Sequence, residues 1–165
     1  MKRILNIVEY NKASLWIRLA NNFIDVIIIY IINYLLSIIC NFLYKITSIE
    51  FFYFYSNGSI LWSFFIGNFN YCLYYFLMEN YFDGKTVSKY ITGTKVISTD
   101  GTKPTTQQIT YRTLSRIVPF DGLSFLGING WHDSWSDTRV INLKNYMSEI
   151  QAKSEIDSLG EKEIA

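Results

Sequence analysis

Three charged side chains stand where their types and spacing could do chemistry. Arg18 and Asp25 are seven residues apart, which on a helix is close to two turns, so they share a face about 10 Å apart along the axis. Asn22 lies between them on that face, and Asn33 lies near it, two to three turns deeper. Asp25 opens an uncharged run, Val26–Tyr44, of 19 residues. A charge at the centre of a membrane helix costs on the order of 2.5–3.5 kcal/mol, so a carboxylate at the mouth of such a run needs a partner or a polar cavity. An acid beside a guanidinium is an arrangement that a proton or cation relay can use, because the cation favours the ionised form while burial opposes it. The plainer roles are an ion pair that locks helices together for Asp25, and snorkelling to the headgroups for Arg18. Glu79 ends a second uncharged run, Phe51–Met78, of 28 residues. Either it meets solvent at a helix end, or it lies at the depth of Arg18 or Asp25 and completes a buried charge cluster.

Other motifs are weaker. Gly84-Lys85-Thr86 ends as phosphate loops end, but that fingerprint needs a Gly where Glu79 stands. Thr86 then caps a short helix, with Lys85 and Lys89 facing lipid phosphates. His132 is the only His. One His without nearby Cys supplies neither a zinc site nor a triad, so no metal, cofactor or enzymatic role is assigned. Near the middle of the second run, Gly67, Asn68 and Asn70 favour helix–helix contact and interhelical hydrogen bonds.

The elements that position these residues follow from composition. Half of the 165 residues are hydrophobic, 18% are aromatic and the formal net charge is +1, which argues against a nucleic-acid binder. A helix needs roughly 20 apolar residues to cross a bilayer. Two spanning helices are therefore expected, over about 15–43 and 60–82, in an all-α integral membrane protein. The patch Ile117–Ile128, broken by Pro119 and Asp121, reads as an interfacial or re-entrant segment rather than a third span. Basic residues lie before the first helix (Lys2, Arg3, Lys12, Arg18) and after the second (Lys85, Lys89, Lys95, Lys103, Arg112, Arg116). Both termini should then be cytoplasmic, with a short outer loop around 45–59. Cys40 and Cys72 read as free thiols. Residues 83–144 form a small cytoplasmic appendage with a β-hairpin turned at Asp100-Gly101, to which Thr138–Leu143 could pair, and a helix over Gln107–Val118. From Asn145 to Ala165 the acidic tail should be a frayed helix or disordered.

Taken together, the sequence resembles the RDD family of bacterial membrane proteins, named for an Arg and two Asp. Arg18-Leu-Ala with Asp25 is similar to its opening motif. Gly84, Lys85, Thr86 and Lys89, then Gly93, Val96 and Asp100-Gly101, resemble its juxtamembrane signature. Arg112, Arg116 and Pro119 match the R–R–P pattern that follows, and His132-Asp133 with Ser136, Thr138 and Val140 resembles the closing segment. The resemblance spans roughly residues 15–141, implies a single membrane domain over 1–144 in the bacterial inner membrane, makes Asp133 the second Asp, and implies a transport or ion-exchange role. In that role Asp25 takes up a proton or cation, Arg18 orients it, and Glu79 or Asp133 supplies a second carboxylate. Two or three helices cannot enclose a pathway, so a homo-oligomer or a partner membrane protein is required. The alternative is a non-transporting scaffold or assembly subunit in which the same charges are structural.

Overall fold

The computed structural model describes residues 6–117 and 131–164. The patch beyond Ile117, with Lys2 and Arg3, lies outside them. Helix α1 (Asn6–Tyr10) leads into α2 (Leu15–Thr47), whose start is capped by Ser14 accepting from the Ile17 amide at 3.4 Å. With 33 residues, α2 is about 50 Å long at the usual helical rise, more than a ~30 Å hydrocarbon layer demands. Among the described residues it is the one helix long and apolar enough to cross a membrane: its best window has a mean hydropathy of 2.4 and is only 11% buried. Phe23, Tyr30, Leu35 and Phe42 point outward, the reverse of a soluble core helix.

The segment expected to be an outer loop is instead a helix, α3 (Glu50–Asn57), folded back along α2. Ser56 Oγ donates to the Ser37 carbonyl at 3.1 Å, and Asn57 Nδ2 donates to Asn41 Oδ1 at 3.0 Å. Helix α4 (Ile60–Tyr81) follows. It matches the second expected element in extent, though its Asn and Tyr content keeps it below the hydropathy of α2. Asn70 Nδ2 donates to Asn33 Oδ1 at 2.5 Å and to the Tyr55 hydroxyl at 2.9 Å, tying α2, α3 and α4 together inside the apolar zone. Asn68, by contrast, satisfies itself on the Phe64 carbonyl of its own helix. Gly67 has open space where a Cβ would sit, so no close helix approach depends on it.

The remaining elements make a compact lobe at the Glu79 end of α4. They are α5 (Val87–Thr92), β1 (Thr94–Ser98), α6 (Thr106–Ser115), α7 (Trp131–Trp135), β2 (Thr138–Asn142) and α8 (Leu143–Ile164). The local hairpin expected at Asp100-Gly101 does not form. That turn exists, closed by the Gly101 amide on the Ser98 carbonyl at 2.9 Å, but it redirects the chain into α6. The partner of β1 is β2, antiparallel with Val96 opposite Val140, as the β-prone run at 138 allowed. Lys12 adds a bridge to Ile141, and the Ala13 amide donates to the Val140 carbonyl at 2.8 Å. One face of this ribbon buries Val8, Ile97, Ile141 and Tyr146, the other Ala13, Val96 and Val140 with Ile17. The tail, expected to be a frayed helix or disordered, is helical as α8.

Candidate functional site

Four polar residues at the start of α2, Arg18, Asn21, Asn22 and Asp25, follow the i, i+3, i+4, i+7 spacing of one helical face. That face turns away from the exposed apolar side chains and meets α4, α5, α6 and α7. Arg18, Asn21 and Asp25 are all buried. The lobe core they enter is polar: Glu79, Thr86, Ser88, Arg112 and Asp133 have no measurable exposure. Buried charges of this kind persist only when paired and hydrogen-bonded.

Glu79 is held by three cations. Lys89 Nζ lies 2.5 Å from Oε1, Arg116 Nη2 lies 3.2 Å from Oε1, and Arg112 Nε lies 3.0 Å from Oε2. Glu79 therefore does not meet solvent at its helix end, and the cluster it completes uses α5 and α6 rather than Arg18 or Asp25. Arg112 also contacts Asp133 through Nη1, which donates to Thr138 Oγ1 at 2.9 Å as well. Arg18 Nη1 reaches Asp133 Oδ2 at 3.5 Å, and His132 Nε2 stands 3.6 Å from Oδ1. Burial opposes the charge on Asp133, but Arg112, His132 and Arg18 outweigh it and hold its carboxyl well below the ordinary range. Arg116 further stacks its guanidinium 3.8 Å from the Tyr75 ring centre.

Asp25 is held differently. Oδ2 accepts from the Thr86 hydroxyl at 2.7 Å, and Oδ1 accepts from the Tyr74 hydroxyl at 2.9 Å and the Ser88 amide at 3.2 Å. The Arg18–Asp25 pair that the helical spacing suggested is replaced by Arg18–Asp133. Thr86 does begin α5, but its hydroxyl goes to Asp25 instead of capping the helix.

Lys89, expected to face lipid phosphates, is buried against Glu79. Burial, with repulsion from Arg112 and Arg116, brings its ammonium down to about 8 despite the attraction of Glu79. Lys85 stays half-exposed and lies 5.0 Å above the Tyr90 ring. Gly84 serves the backbone rather than a phosphate. At φ +76° it accepts a hydrogen bond from the Val96 amide at 3.0 Å, and a Cβ there would meet the Val96 carbonyl oxygen at 2.5 Å. Cys40 and Cys72 are free. Among the described residues no three His, Cys, Asp or Glu side chains converge as metal ligands would.

Sequence reasoning missed Asn21, Tyr74, Ser88, Thr92 and Arg139. Asn21 donates to Thr94 Oγ1 at 2.9 Å and accepts from Thr92 at 2.7 Å, joining α2 to β1. Its signal was available in the polar stripe around Asn22. Arg139 bridges Glu9, at 3.2 Å, and the Asp133 carbonyl, also at 3.2 Å. Residues Arg18, Asn21, Asn22, Asp25, Tyr75 and Lys89 line one side of a cavity of about 20 Å³, closed by Arg112, Arg116, His132 and Val140.

The model of the RDD family matches residues 12–141 of the chain, a span that includes every member of this network except Glu9. Comparison with curated proteins and with solved structures gave no match.

Proposed function

The chain belongs to the RDD family of membrane proteins, and from that premise we propose that it moves protons or small cations across the bacterial inner membrane. In this reading α2 and α4 both span the lipid, the lobe and both termini are cytoplasmic, and the chain acts without enzymatic chemistry. A pathway is completed by further copies of the chain or by a partner membrane protein. The observation that carries this is the environment of Asp25. It is a buried carboxylate at the mouth of the apolar helix, bound by two hydroxyls and an amide. A proton or cation can bind there without breaking a guanidinium pair, whereas Glu79 and Asp133 are committed to Arg112.

The test is ion flux from protein reconstituted in liposomes under pH and sodium gradients. Wild type should carry flux, and Asp25→Asn should insert normally yet lose it. The density of ion pairs around Glu79 favours a second reading, a non-transporting assembly module. Folded wild-type protein giving flat traces, with Asp25→Asn altering complex formation instead, would select it.

A further inference from the structure

Beside the charged lobe, α4 and α6 leave an apolar groove of about 200 Å³ between them, on faces that the ion pairs do not use. Phe69, Leu73 and Phe76 form one wall and Leu114 stands on the other. Phe69, Leu73 and Leu114 are also exposed, so the groove opens on the side that meets lipid when α4 spans the bilayer. Helix α6 starts beside the end of α4, where Thr106 Oγ1 donates to Asn80 Oδ1 at 3.1 Å. The groove lies about one to three turns farther along α4 from that end. With Asn80 among the headgroups, this is the level where a lipid of the cytoplasmic leaflet passes from its glycerol esters into hydrocarbon. Three groups in the wall are not hydrocarbon. Thr110 Oγ1 is spent on the Thr106 carbonyl at 2.9 Å, and Cys72 is a free thiol. Thr113 is only 4% exposed, and its hydroxyl has no hydrogen-bond partner among the described residues. A buried hydroxyl left unpaired beside lipid has no water to turn to, which makes it costly.

We propose that this groove seats one acyl chain of a phospholipid, whose ester carbonyl accepts a hydrogen bond from the Thr113 hydroxyl. An apolar hollow of roughly 150 Å³ stays dry and takes a benzene-sized guest, so this one has room for several methylenes of a single chain. A helix, ~10–12 Å across with its side chains, cannot enter it. Below the phosphate, the ester carbonyls are the acceptors that a phospholipid offers. A threonine on a helix has two ready χ1 settings, so the Thr113 hydroxyl turns to the groove without moving the backbone. The described wall carries no charge, so selection acts on the ester and the chain rather than on the headgroup. A seated chain also braces α6, which carries Arg112 and Arg116, against α4, which ends near their partner Glu79. The assignment rests on α4 lying in lipid, as in the reading above, and is independent of what Asp25 carries.

In the experiment, the full chain is delipidated in detergent, given a trace of phosphatidylglycerol bearing a diazirine on one acyl chain, and irradiated. Cross-links should concentrate on residues 69–76 and 110–114. Unlabelled diester phosphatidylglycerol should displace the probe. Its diether analogue, with the same chains and headgroup but no carbonyl, should need roughly fivefold more, the worth of one hydrogen bond. Thr113→Val keeps the shape of the side chain and removes the hydroxyl, after which diester and diether should compete equally. Leu73→Trp fills the groove from its exposed rim and should abolish the displaceable cross-links while the protein stays folded. Asp25→Asn should bind the probe as wild type does, so loss of flux and loss of lipid are separate results. Equal displacement by diester and diether in wild type would overturn the proposal, as would cross-links spread along α2 and α4 that excess lipid does not displace. Cross-linking from Cys72 in a Cys40→Ser chain that ties the groove to residues 118–130 or to a second copy would overturn it too, by giving the groove to protein.

Discussion

Asp25 and the pair Glu79–Asp133 are buried to the same degree, yet they are stabilised by different means. Asp25 accepts only from neutral donors on α4 and α5. Glu79 and Asp133 are clamped by charges from three other elements, with Arg112 shared between them. A carboxylate among guanidiniums is held ionised, and its pairs are hard to open without leaving an uncompensated buried charge. One among hydroxyls can change its occupant while its neighbours stay put. The first arrangement suits a rigid lock between helix and lobe, the second a site that cycles.

The largest effect should come from breaking the lock. Arg112→Met deprives both carboxylates of their common partner and should cost about 3–5 kcal/mol, the usual penalty for removing one side of a buried ion pair. Thermal unfolding in detergent would register it, together with loss of monodisperse protein. Next comes Asp133→Asn, about 2–3 kcal/mol by the same reasoning, since Arg18 and Arg112 lose their shared acceptor.

Asp133 also predicts a pH dependence. Its native carboxyl sits below the ordinary value of 3.8, so the unfolded chain binds more protons in that interval. The stability it contributes is complete above pH about 4 and is lost as pH falls through the native value. Unfolding temperatures measured downward through pH about 4 should therefore drop more steeply in wild type than in Asp133→Asn. If the two curves run parallel, Asp133 is not held as described.

Gly84 joins the two environments. Its left-handed turn sets the path of the chain that delivers Thr86 and Ser88 to Asp25 and Lys89 to Glu79. Gly84→Ala forces a Cβ onto the Val96 carbonyl and should cost on the order of 1–3 kcal/mol. Because both carboxylates lose donors, flux and stability should fall together, which sets it apart from every single-carboxylate variant.

How much of this was legible in the chain depends on whether the signal is local. Arg18 and Asp25 stand out because charge at the mouth of an apolar run needs a reason, and their shared face follows from helical spacing alone. The partners do not follow. Arg18 meets Asp133 across 115 positions of sequence, and helical neighbourhood pointed to Asp25 instead. Lys89 was misplaced for a related reason: a lysine just past an apolar helix ordinarily faces headgroups, and only the tertiary packing of α5 against α2, which brings Lys89 to Glu79, buries it. The hairpin signal at Asp100-Gly101 was a true turn with the wrong consequence, since β2 lies beyond α6 and α7 and competes successfully for β1. Helix α3 was hidden by its position between the two expected helices, where a short loop is enough to make the connection.

The smallest expected change in stability belongs to Asp25→Asn, and it is also the sharpest test of the contrast. The amide retains one oxygen, able to accept from Tyr74 and the Ser88 amide, while its nitrogen can donate to Thr86 once that hydroxyl turns to act as acceptor. Replacing charge-assisted hydrogen bonds to a carboxylate by neutral ones to an amide, with every donor still matched, should shift stability by about 1 kcal/mol. Function should respond in full, because an amide neither takes up a proton at neutral pH nor compensates a cation. A variant that unfolds several degrees below wild type would mean that Asp25 belongs to the lock after all, paired more tightly than its neutral donors imply. A variant that keeps both its melting temperature and its flux would remove Asp25 from the conducting role and leave the carboxylate as one more polar tie between α2 and α5.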